Sequence, residues 1–202
     1  MLGKSLENAE IRTINHFGVK VPQFPFIKLE GADPILGVEM VSTGEVACLD
    51  DSFSDALLKS FIASRLKIPS ESSSVLFSVC DKLKPRILEI ARRLQQIGFR
   101  IYATPRTSEF LLENGILART LKYEDKVLNV SDYSVNRKID LVITTPVEGD
   151  YAERECNYCS RKAIDFNIPT ILDMELAVAL TEAIEQRRKG PFQMKSWNEY
   201  FA

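Results

Sequence analysis

Histidine is all but missing from this sequence: His16 is the single one in 202 residues. A zinc site leaning on histidines is excluded. Cysteine is sparse, with Cys48, Cys80, Cys156 and Cys159 in all. Cys156 and Cys159 have the two-residue spacing of a metal or redox pair, but no second pair complements them. No thioredoxin-like strand-helix-strand pattern surrounds them either. They are expected to be packing residues on a helix, with no metal site. An excess of positive charge is also lacking: net charge is −2, which argues against nucleic-acid binding. No apolar run approaches the roughly 18 residues of a membrane span. The first ten residues lack the apolar core of a signal peptide. The expected compartment is the cytoplasm or, for a fragment that has lost an address, the mitochondrion.

What is present is the balance of a globular protein, 45% hydrophobic and 27% charged. Its organising stretch is 75–107. Residues 75–79 are an apolar run with β-branched ends, read as a buried strand. Ile87, Leu88, Ile90, Ala91, Leu94 and Ile97 then follow helical spacing, and Gly98 stops that helix. Residues 99–103 read as a second strand and 108–114 as a new helix. A strand, a helix and a strand in about 30 residues make a βαβ unit with parallel strands. Ligands of open parallel sheets sit beyond the carboxyl ends of the strands. Here those ends offer Cys80–Lys84 with its lysines, and 104–107 with hydroxyls and an arginine before a helix start, a plausible anion cradle.

The rest of the chain divides around this unit. Residues 1–66 read as a thin α+β piece: a strand at 24–29, a turn at 31–34, a short strand at 44–48 and a helix at 51–63. It buries too little to stand alone. The Pro- and Ser-rich stretch 67–74 reads as a linker. Beyond it come a strand at 116–121, an irregular polar stretch at 122–137, a strong strand at 139–144, a helix at 151–166, a strand at 168–172 and a helix at 174–188. Residues 192–202 form an arm. Strand and helix alternating from 75 to 191 predict an α/β three-layer sandwich with a mostly parallel sheet.

The stretch 24–46 resembles the end of the second ATP-grasp unit of the carbamoyl-phosphate synthase large chain, and residues 1–6 resemble a piece a little upstream of it. Residues 75–180 resemble its C-terminal regulatory domain, with a methylglyoxal synthase-like fold. The matching residues are 98–104, Arg106 and Thr107, 139–143, then Arg161, Ala163, Asp165, Ile168 and Pro169. The resemblance implies a parent enzyme making carbamoyl phosphate from bicarbonate, ATP and glutamine or ammonia nitrogen, for pyrimidine or arginine synthesis. It implies ATP and Mg or Mn for that parent, held upstream, and none in this fragment, which is expected to be inactive alone. The implied partners are the rest of the large chain, its glutamine amidotransferase unit and a small-molecule effector: a uridine or purine nucleotide, or N-acetylglutamate.

The resemblance also assigns candidate effector-binding residues. Lys84 matches a phosphate-binding lysine; the plainer reading is a solvated first-turn lysine, in a place where the helix dipole disfavours cations. Thr104 and Thr107 match two effector-binding threonines, against simple capping. Arg106 replaces a usual glycine, and either blocks close approach of a phosphate or clamps it. Thr144 and Thr145 sit where the family has Asn or Thr, against plain strand-end threonines. Tyr123 falls where one branch has lysine and another an aromatic residue, against an exposed loop tyrosine. Arg161 matches one of two helix arginines, the other being Ser160 here; its plain reading is an ion pair with a nearby acid. Two other functions compete. A methylglyoxal synthase-like lyase needs a carboxylate base and a Gly-rich phosphate loop, yet 122–138 contains no glycine. A structural oligomerisation domain would use 192–202 as a docking arm.

Overall fold

The computed structural model describes residues 14–23, 44–70, 72–122, 129–145, 151–188 and 190–201, of which 151–155 and 201 as backbone only. The expected strand at 24–29, the turn at 31–34 and Tyr123 lie outside the described residues. The first elements are two antiparallel strands, β1 (Phe17–Gln23) and β2 (Gly44–Asp50), with Phe17 opposite Asp50 and Gln23 opposite Gly44. Helix α1 (Phe53–Ala63) follows. The central strand β3 (Ser74–Ser78) is buried at every position, as a strand covered on both faces must be.

From β3 the chain alternates: α2 (Lys84–Gln96), β4 (Arg100–Ala103), α3 (Pro105–Glu113), β5 (Arg119–Thr120), α4 (Val130–Val135), β6 (Leu141–Thr144), α5 (Tyr151–Asp165), β7 (Thr170–Ile171), α6 (Met174–Arg187) and α7 (Trp197–Phe201). The sheet order is β5-β4-β3-β6-β7, all parallel. The chain runs outward through β4 to β5, then returns to the other side of β3 for β6 and β7. The order therefore reverses between β3 and β6, and the crevice beyond their carboxyl ends is the expected ligand position.

Side-chain alternation sorts the sheet into two cores. Val75, Phe77, Ile101, Ala103, Leu141 and Ile143 pack with α2, α3 and α6. Leu76, Tyr102 and Val142 pack on the other face with α4 and α5. This is the expected three-layer α/β sandwich. Helix α1 adds to it: Leu57, Leu58 and Phe61 belong to the same hydrophobic cluster as Leu180, Ala183 and Ile184 of α6. The stretch expected to link two units is thus spanned by packing, and its last residue, Ser74, is already strand.

Five helix ends follow one rule. Arg65, Gly98, Gly115, Arg137 and Asn167 have positive φ, and each sits just past a helix. In each case the next residue's N–H returns to a carbonyl in the last turn: Leu66 to Phe61, Phe99 to Leu94, Ile116 to Leu111, Lys138 to Tyr133 and Ile168 to Ala163. That is the Schellman closure.

The structure corrects several expected boundaries. β1 carries Pro22, which donates nothing to a ladder, and no strand is expected from its sequence. α3 begins at Pro105 rather than Ser108, because proline is pre-organised for the first helical position. The stretch 122–137, expected to be irregular, contains α4, whose Asn129 side chain accepts from the Asp132 N–H at 2.6 Å.

Candidate functional site

Two loops and the end of a strand meet at the carboxyl end of the sheet. The first leaves β3 through Val79 and Cys80, makes a single 3-10 turn at Asp81–Leu83, and opens α2 at Lys84. The second is the turn from β4 into α3, with Thr104 as N-cap residue. The strand is β6, where Thr144 lies opposite Ser78 in the parallel register.

Threonine hydroxyls tie these loops together. Thr107 Oγ1 donates to the Val79 carbonyl and accepts from the Val79 N–H, both at 3.3 Å, and accepts from Thr104 Oγ1 at 3.3 Å. Thr145 Oγ1 accepts from the Cys80 N–H at 3.3 Å, while its own N–H donates to the Ser78 carbonyl at 3.3 Å. All are long for hydrogen bonds, so a better acceptor or donor competes with them easily. Thr144 goes further. Its side chain is wholly buried, and among the described residues its Oγ1 has no hydrogen-bond partner. A buried hydroxyl left unpaired costs on the order of 1–3 kcal/mol, which a ligand atom at this position would remove.

Lys84 is buried to 7% exposure. Its ammonium donates to the Arg106 carbonyl at 2.9 Å and pairs with Asp81 Oδ1 at 2.5 Å. Arg106 reaches the other oxygen of the same carboxylate. Asp81 thus already engages the guanidinium of Arg106. The hydrogen bond from Lys84, followed by the charges of Lys84 and Arg106, holds the Asp81 carboxyl below the usual carboxylate range. Asp81 is therefore ionised throughout the physiological range. Sequence reasoning missed Asp81; its only local signal is the three-residue spacing to Lys84.

Lys84, Thr104, Arg106, Thr107 and Thr145 are thus brought together around the exit of β3, with Thr144 beside them at the end of β6. Arg161 is placed on α5 and ion-pairs with Asp165 one turn on, at 2.6 Å. Ser160 is buried and donates to the Cys156 carbonyl at 2.8 Å, so it satisfies itself within the helix and adds no charge. Cys156 and Cys159 are buried, reduced residues of the same helix, and Cys156 Sγ donates to the Ser78 carbonyl at 3.3 Å. Among the described residues no group of three His, Cys, Asp or Glu is placed to hold a metal, and no helix is long and apolar enough to cross a membrane.

The MGS-like domain family matches residues 86–172, which start at the first turn of α2 and end after β7. The chain carries an MGS-like domain. It is also 39% identical over 205 residues to the carbamoyl phosphate synthase large chain of Archaeoglobus fulgidus, covering 99% of this chain and 19% of that one. It is 40% identical over 174 residues to the C-terminal section of the Aquifex aeolicus large chain, covering 86% of this chain and 32% of that one. The likeness lies at the C-terminal region of the large chain, and the chain spans only a minor part of these relatives' lengths. A solved methylglyoxal synthase from Elizabethkingia anophelis NUHP1 superposes over 65% of this chain and 91% of its own, at 16% identity and a TM-score of 0.44.

Proposed function

We propose that this chain is the effector-binding, regulatory part of a carbamoyl phosphate synthase large chain. The observation that carries the reading is the carboxyl-end cluster: a buried lysine and two helix starts on two adjoining loops, beside a buried hydroxyl at the end of β6 that is unpartnered among the described residues. Lysine and free helix N–H groups attract an anion, and the threonines supply directional donors. The similarity to synthase large chains sets the context in which such a ligand would regulate. In that context the parent makes carbamoyl phosphate from bicarbonate, ATP and glutamine or ammonia nitrogen, using ATP and Mg or Mn bound outside this chain. The partners are the rest of the large chain and a glutamine amidotransferase unit, and residues 1–66 are the tail of an ATP-grasp domain. Among the curated relatives are multifunctional proteins of Dictyostelium discoideum and Saccharomyces cerevisiae.

The reading is tested by a thermal-shift screen with UMP, UTP, IMP, phosphoribosyl pyrophosphate and N-acetylglutamate. A ligand at 100 times its dissociation constant stabilises the fold by about 2.7 kcal/mol, a shift of several degrees. One of these raising the melting temperature, with the shift lost in Thr107→Ala, supports the reading. No shift with any of them at millimolar concentration overturns it.

A further inference from the structure

The cations of this crevice are not waiting for a ligand. The single carboxylate of Asp81 spans Lys84 and Arg106. Lys84 is buried, whereas the Asp81 side chain is 54% exposed and stands on one short 3-10 turn. The lysine is fixed and the carboxylate is the member of the pair that can swing out into water. We propose that Asp81 is a resident competitor at the anion site, and that it sets the charge a ligand must carry to bind. This rests on the crevice being the effector site, as proposed above.

The reasoning is a charge count. Lys84, Arg106 and Asp81 sum to one positive charge. A ligand carboxylate that displaces Asp81 replaces one such group with another, forms the same two ion pairs and gains nothing in charge. A phosphate monoester dianion brings a second negative charge and a third oxygen to the same two cations. Charge-assisted hydrogen bonds of this kind are about twice as strong as neutral ones. The ligand class that wins the exchange is therefore a phosphate ester, and a monocarboxylate is rejected. Because the Asp81 carboxyl lies below the usual carboxylate range, the competition persists at neutral pH.

The test is calorimetric titration of the full chain with inorganic phosphate and, separately, acetate, at pH 7.5 and low salt. Wild type, Asp81→Asn and Lys84→Met are compared, each first shown to melt cooperatively; if Lys84→Met does not fold, Thr107→Val replaces it. Asparagine keeps the size of the side chain and removes only its charge. The expected result is phosphate binding at least fivefold tighter in Asp81→Asn than in wild type, weak or undetectable acetate binding to wild type, and loss of phosphate binding in the Lys84 or Thr107 variant. Equal or weaker phosphate binding in Asp81→Asn, with binding still lost in the Lys84 or Thr107 variant, leaves the site in place and overturns the competitor. Phosphate binding unaffected in the Lys84 or Thr107 variant, or absent from both wild type and Asp81→Asn, overturns the site itself and the competitor with it.

Discussion

The two ends of the parallel sheet are built from opposite materials. At the carboxyl end, helices begin, α2 at Lys84 and α3 at Pro105, so the positive ends of their dipoles lie there. At the amino end, helices stop. A cavity of about 240 Å³ opens there, lined among others by Lys67, Ser70, Ser73, Arg137, Asp140, Phe166 and Asn167. Arg137 and Asn167 are the residues that close α4 and α5 with positive φ. Helix starts carry about half a positive charge and helix ends about half a negative one. The amino end thus has an open cavity and two exposed cations, yet its backbone field disfavours an anion and welcomes those same cations. The carboxyl end has the opposite field and a cluster of threonine hydroxyls in long, weak hydrogen bonds.

Substitutions at the two ends test this contrast. The largest effect on folding is expected from Asp140→Ala. Its carboxylate accepts from the Ser74 N–H at 2.8 Å, tying β6 to the start of β3. Removing it leaves that donor unpaired and should cost about 1–3 kcal/mol, read by urea denaturation, with ligand affinity unchanged in calorimetry. Lost affinity at preserved stability would exchange the roles of the two ends. Next, Thr107→Ala should weaken binding of whichever effector the screen finds by about tenfold, equivalent to about 1.4 kcal/mol, and, because the Val79 N–H loses its acceptor, should also lower stability in urea denaturation. Unchanged affinity would move the site away from this end. Smaller, and of opposite sign, is Arg137→Gly. A left-handed arginine is strained where glycine is not, so the variant should gain about 0.5–1 kcal/mol in the same denaturation experiment. The least is expected of Lys67→Ala: a stability change within about 0.5 kcal/mol and no change in anion affinity. A marked loss of affinity there would show that the amino-end cavity takes anions after all.

The parallel sheet and its helices were readable because the signals were local and redundant. Ile87, Ile90, Ala91 and Leu94 announce α2 by spacing, and all four are buried; Gly98 and Gly115 announce two of the helix stops. β1 was not readable, because its pairing with β2 is decided across more than twenty residues and its own composition includes Gly18 and Pro22. α4 lies in a polar stretch, yet Asn129 followed three residues later by Asp132 was a usable capping signal. At the crevice, the residue types were legible from resemblance, while their pairing was not. Asp81 reads as an unremarkable acid beside two lysines until the fold brings Arg106, 25 positions on, to the same carboxylate. Arg161 shows the reverse: its ion pair with Asp165, one helical turn away, is one the local spacing already offered.

The docking of α1 on α6 gives the molecule an unusual kind of seam. A protease that cuts in the serine-rich stretch between α1 and β3 severs the backbone but not the cluster that Leu57, Leu58 and Phe61 share with Leu180, Ala183 and Ile184. The C-terminal arm reinforces the hold: Lys59 donates to the Gln193 carbonyl at 2.5 Å and Tyr200 to the Leu49 carbonyl at 3.0 Å. The two fragments should then remain together as a nicked heterodimer, co-eluting in gel filtration and parting only in denaturant. Separately expressed halves should recombine, so that this chain behaves as a split protein whose break point lies in its sequence and not in its core.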